Sequence, residues 1–253
     1  PDIVEPLLKD VSQIDSISFD GIMEDEDINV LSDTTRKLNE IVGDRTLVGS
    51  SQWGPFTLAG HVYGVERLMR NIYKDKKAVH AVLEFTTELC ARYLERFVEA
   101  GAGIISIADP TSSGDLISRE QFREFSLPYL KKAVQRINEK GSIVSIHICG
   151  NITNRLDLIP ETGAKNISVD YKVDISKARE LLAGKIAFSG NMNPVAVMQN
   201  ETPDGVEISC RECIKKAGDR GYILMPGCDI PPGVPVENIV RMVEIALDHT
   251  YRS

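Results

Sequence analysis

His147 and Cys149 stand two residues apart in Ser145-Ile146-His147-Ile148-Cys149-Gly150-Asn151, and a second thiol, Cys228, follows much later in Leu224-Met225-Pro226-Gly227-Cys228-Asp229. One imidazole and two thiolates form a borderline-soft donor set that suits zinc, and three protein ligands leave the fourth position open, as catalytic zinc requires. The first pair closes an apolar run over 143–149 whose β-branched content reads as a strand. Side chains alternate faces along a strand, so His147 and Cys149 share one face. The same three residues also fit a plain packing role, a half-exposed histidine beside two buried cysteines. Residue types alone leave both readings open.

Six short apolar runs, at 46–51, 103–108, 142–148, 166–169, 185–189 and 222–225, alternate with amphipathic segments. The clearest helical patterns are 77–100, 119–140 and 236–249. This order predicts an α/β chain built on a parallel sheet, doubly wound or closed into a barrel. No Gly-x-Gly-x-x-Gly follows the first run, which weakens the dinucleotide-binding version. Polar and reactive residues follow the runs: Trp53, Asp109, the His147/Cys149 pair, Asp170, Asn191 and Cys228. Strand C-termini are where (β/α)8 barrels build their sites. Taken singly, Asp109 reads as a turn cap, Asp170 as a loop acid, Asn191 as a turn residue and Trp53 as packing. Such a barrel needs eight strands; a further one is expected around 16–19 or in a segment preceding this chain, which opens at Pro1.

The chain has 253 residues, 42% apolar and 26% charged, with net charge −8, enough for one barrel domain over 1–253. An acidic surface repels a phosphate backbone, so nucleic acid is not an expected partner. No stretch reaches membrane-spanning length, and no signal peptide is visible. Five cysteines without framework spacing fit a reduced, cytoplasmic setting. Cys210 and Cys213 form a C-x-x-C inside a helical pattern over 204–217, not after a strand, which argues against a thioredoxin-like role. The acidic stretch 24–27 is expected to be an exposed loop, as is the basic cluster 74–77. His61, His80 and His249 read as structural.

Seven segments run in collinear order: Gly54-Pro55-Phe56-Thr57-Leu58-Ala59, Ala100-Gly101-Ala102 through Asp109-Pro110-Thr111, Phe125-Ser126-Leu127-Pro128-Tyr129, and His147-Ile148-Cys149-Gly150-Asn151. Ser168-Val169-Asp170, Gly190-Asn191-Met192-Asn193-Pro194, and Gly227-Cys228 with Pro235-Val236-Glu237-Asn238 complete the set. Together they resemble the uroporphyrinogen decarboxylase superfamily, and within it the zinc-dependent corrinoid methyltransferases of the methylcobamide:coenzyme M type. The resemblance implies a (β/α)8 barrel of the uroporphyrinogen decarboxylase type, with its first strands outside this chain. It implies zinc held by His147, Cys149 and Cys228. True decarboxylases carry Gly-His-Gly where this chain has Gly227-Cys228-Asp229, and lack the His-x-Cys pair.

The activity so implied is methyl transfer between a corrinoid (methylcobalamin), carried on a partner protein, and a zinc-activated thiol such as coenzyme M. The reverse sense takes methyl from a methoxy compound to the corrinoid. Asp109 and Asp170 are the expected acids near the metal, one of them orienting His147 through its free ring nitrogen or completing the resting sphere. Trp53 and Asn191 are expected walls of the cofactor pocket. Competing readings are a metal-free porphyrinogen decarboxylase, a cobalamin-independent methionine synthase type, and a non-catalytic barrel whose zinc only ties strands together. Unpaired strand edges would favour self-association, so a homodimer is an expectation.

Overall fold

A computed structural model describes residues 5–218 and 220–252 of the chain. These form two compact units: residues 5–112, 116–146 and 161–164 make the first, and 113–115, 147–160 and 165–252 the second.

The first unit begins with a 3-10 turn, Val11–Ser16, and the helices α1 (Phe19–Met23) and α2 (Glu26–Val42). Strand β1 (Gly49–Trp53) leads into α3 (Pro55–Tyr63), α4 (Val65–Lys74) and α5 (Lys76–Glu99). Strand β2 (Ile104–Ala108) is followed by α6 (Arg119–Phe125) and α7 (Leu127–Glu139). β1 and β2 run parallel, with Gly49 opposite Ile104 and Trp53 opposite Ala108. Phe56, Leu83, Leu94, Ile105, Ile107, Phe122 and Leu130 are fully buried and form its core. Arg136 on α7 reaches Glu95 on α5 at 2.7 Å, an ion pair at the rim of that helix packing.

Strand β3 (Ile143–Ile148) starts in the first unit and ends in the second. The second unit continues through a 3-10 segment, Thr153–Thr162, partly shared with the first, to β4 (Asn166–Val169) and α8 (Ile175–Leu182). Then come β5 (Ala187–Met192), a π-helical turn at Pro194–Gln199, α9 (Pro203–Ala217), β6 (Tyr222–Pro226) and α10 (Val236–Arg252). β4, β5 and β6 are parallel neighbours, and Met192, Met198, Val206, Cys210 and Ile245 pack into one buried cluster. The six strands follow the order β1-β2-β3-β4-β5-β6, so an α/β parallel sheet with alternating helices is present as expected.

Four local expectations fail for identifiable reasons. No strand lies at 16–19: Ser18 accepts a hydrogen bond from the Gly21 amide and caps α1. The acids at 24–27 are not a loop; Asp25 caps α2, while Glu26 and Asp27 occupy its first turn, where negative charge meets the helix dipole. The basic cluster at 74–77 is the junction of two helices, with Asp75 capping α5. The single helix expected over 119–140 is two, broken at Ser126, because Pro128 has no amide to extend the ladder from α6. β5 also runs three residues beyond the expected end, so Asn191 lies inside the strand rather than after it.

Candidate metal centre

β3 delivers the first two donors. Ile146 and Ile148 are fully buried on one face, which turns the side chain of His147 the other way, followed by Cys149 just past the strand end. His147 Nδ1 lies 3.1 Å from both the carbonyl and the hydroxyl oxygen of Ser168. A carbonyl only accepts, so the ring proton sits on Nδ1 and the Nε2 lone pair is free to bind. Nε2 is 3.0 Å from Cys149 Sγ, and Cys149 Sγ is 3.5 Å from Cys228 Sγ. The three donor atoms all lie within 4.8 Å of one another.

Cys228 arrives from the other side. The Gly227 amide donates to the Met192 carbonyl at 2.8 Å, continuing the parallel pairing of β5 and β6 by one step and placing the thiol. Gly150, after Cys149, has φ +80°, and a Cβ there would meet the Asp115 carboxylate and Ser113 hydroxyl at 2.5 Å. Glycine alone allows both the conformation and this approach.

Burial depresses the basicity of His147, offset by the Ser168 carbonyl and the carboxylates of Asp170 and Asp229. Burial also pushes the Cys149 thiol up to about 12, helped by the Cys228 thiol beside it and by the same two carboxylates. Burial thus favours the uncharged forms of the Cys149 thiol and the His147 imidazole. A divalent cation would supply the charge that turns a thiol here into a thiolate. Zn–S bonds of about 2.3 Å at the tetrahedral angle place two sulfurs about 3.8 Å apart, close to the observed thiol separation. The donor set therefore fits zinc, and among the described residues the cluster has three members.

The remaining expected site residues are differently placed. Asp170 is almost fully buried; its carboxylate accepts from the amides of Gly150 at 3.0 Å and Lys172 at 2.9 Å. Asp109 and Asp170 were expected to orient His147 or to complete the resting sphere; the oxygens that lie against that ring nitrogen are those of Ser168. Asp109, in the first unit, is fully buried and accepts from the Thr57 amide at 2.7 Å and the Ser126 hydroxyl at 3.4 Å. Burial raises its carboxyl to about 6 against the opposing pull of those donors. Asn191 donates its amide to the carbonyls of Asp170 at 3.1 Å and Val173 at 2.6 Å. Trp53 is 46% exposed, its ring 5.9 Å from that of His61. His80 is tied to the Tyr129 hydroxyl at 2.7 Å. Cys210 is fully buried against Met192, with Cys213 beside the side-chain Oδ1 of Asn191. Sequence reasoning included Ser168, Gly150 and Gly227 in the resembling segments but gave them no role. Ser168 is a lone hydroxyl in an apolar strand, and the glycines flank the two thiols.

The uroporphyrinogen decarboxylase family model matches residues 1–249. The chain belongs to that family. It is 34% identical over 252 residues to the methylcobamide:CoM methyltransferase MtbA of Methanosarcina acetivorans, covering 99% of this chain and 72% of the relative. It is 27% identical over 260 residues to the uroporphyrinogen decarboxylase of Chlorobium limicola, with 98% and 72% covered. A solved methyltransferase from Methanosarcina mazei superposes with TM-score 0.88 at 28% identity, over 98% of this chain and 71% of that one. The family resemblance and the barrel type expected from sequence are both borne out.

Proposed function

We propose that this chain is a zinc-dependent methyltransferase that moves a methyl group between a corrinoid, presented by a partner protein, and a thiol such as coenzyme M. The observation that carries the reading is the three-donor cluster of His147, Cys149 and Cys228, in a chain similar over almost all its length to a methylcobamide:CoM methyltransferase. A zinc ion there would stabilise a substrate thiol as its thiolate at neutral pH and keep one coordination position for it. Methyl offers nothing to polarise, so the residues around it have to orient and shield. His147 would bind through Nε2, with its ring fixed by the Ser168 carbonyl. Cys149 and Cys228 would bind as thiolates, each surrendering a proton that burial otherwise retains on Cys149. Asp170 would hold the Cys149-Gly150 loop rather than touch substrate. Transfer from a methoxy compound uses the same cluster.

A decarboxylase reading draws on the similarity to the Chlorobium limicola enzyme, but it leaves three clustered donors without a role. Free thiols at all five cysteines fit a reducing, cytoplasmic setting, and no helix among the described residues is long and apolar enough to cross a membrane. Elemental analysis with and without a His147→Ala, Cys149→Ala double change, followed by a methylcobalamin-with-thiol assay, tests the proposal. About one zinc per chain, lost in the double variant, together with thiol methylation supports it. A metal-free, methyl-inactive chain that decarboxylates a porphyrinogen refutes it.

A further inference from the structure

The two thiols sit on loops that follow different strands, yet one turn touches both loops. It runs from Asp170 to Val173 and is closed by the Val173 amide donating to the Asp170 carbonyl at 3.0 Å. One oxygen of the Asp170 carboxylate accepts from the amide of Lys172 within the turn, at 2.9 Å. The other accepts from the Gly150 amide, the residue joined to Cys149, at 3.0 Å. On the other side the turn's backbone lies against Gly227, the residue joined to Cys228; a Cβ on Gly227 would stand 2.5 Å from the Tyr171 nitrogen and 3.1 Å from the Asp170 carbonyl carbon. The turn is held from β5, where the Asn191 amide nitrogen donates to its first and last carbonyls.

We propose that the turn from Asp170 to Val173, locked by the Asn191 amide, sets the separation of Cys149 and Cys228 and so prepares the donor set for its metal. The inference rests on the zinc reading above and assigns Asn191 as a positioning residue rather than a pocket wall. Two thiolates this close repel, and a rigid frame that keeps them together makes metal binding cheaper than one that must first be assembled. Asn191 is nearly buried, and both its N–H groups are directed to backbone carbonyls that have to be paired at that depth.

Two variants of the whole chain test it. Asn191→Asp keeps the size but sets acceptor oxygens against two carbonyls. Asp170→Asn leaves the Asn191 bonds in place, since these go to backbone, and turns an N–H towards one of the two amides the carboxylate served. Zinc affinity is read by chelator competition, and cobalt(II) substitution reports bound thiolates through their charge-transfer absorption, both on protein shown folded by circular dichroism. Both variants should bind zinc roughly 10- to 100-fold more weakly, with a weakened thiolate band. Loss of thermal stability alone, with affinity and cobalt spectrum unchanged, overturns the inference while the metal reading stands. Wild-type chain that binds neither ion overturns both. Should Asn191→Asp fail to fold, Asp170→Asn decides between the same outcomes.

Discussion

Asp109 after β2 and the donors after β3 and β6 look alike in the sequence, each a reactive side chain at the C-terminal end of a strand. In the structure they are opposites. Asp109 is sealed, its oxygens occupied by Thr57 and Ser126. The His147, Cys149 and Cys228 cluster is only partly buried, and its three donor atoms converge to within 4.8 Å of one another. A strand end is thus a place where a site can be built, not evidence that one was. What separates scaffold from site is whether the polar capacity is used up within the fold.

The sharpest way to break this contrast is Cys228→Ser. On the proposed reading this removes one of three ligands, and zinc content should fall from about one per chain to near zero with loss of methyl transfer. Full zinc in that variant, by elemental analysis, would return the cluster to the same class as Asp109. Next in size is the pH response of Asp109. Its carboxyl is raised from 3.8 to about 6 by burial, so the folded chain binds a proton that the unfolded chain has already released. Stability from this group is present below about pH 4 and lost as pH climbs through about 6, by about 3 kcal/mol in all. Asp109→Asn keeps an acceptor for the Thr57 amide and removes the ionisation. Urea unfolding at several pH values should show wild type losing about 2 kcal/mol relative to the variant between pH 4 and 7. Parallel profiles would mean that Asp109 is less enclosed than its burial indicates.

Much of this was readable in the sequence, and the divide is physical. Strands β3 and β4 were legible because β-branched apolar runs have few other uses, and the donors because imidazole and thiol at strand spacing narrow the chemistry. The break at Ser126 was hidden, since 119–140 keeps its helical period through Pro128; that break is what brings the Ser126 hydroxyl to Asp109. The partner of His147 was hidden for another reason. A carboxylate was the expected orienting group, but a strand carbonyl serves equally well and has no sequence signature.

Gly227→Ala asks how closely the two thiols are framed. Gly227 lacks positive φ, so the cost is packing: the new methyl meets the Tyr171 nitrogen at 2.5 Å. Destabilisation of about 1–3 kcal/mol is expected by thermal or urea unfolding, with weaker zinc binding in the folded protein. The corresponding probe on the imidazole side should be nearly silent. Ser168→Ala removes a hydroxyl 3.1 Å from His147 Nδ1 but leaves the Ser168 carbonyl at the same distance. The carbonyl still takes the Nδ1 proton, the tautomer is unchanged, and Nε2 keeps its lone pair. Zinc affinity by chelator competition should change by less than about 1 kcal/mol, a few-fold at most. A larger loss would show that the hydroxyl, not the backbone, holds the ring, and the donor cluster would then depend on one replaceable side chain for its orientation.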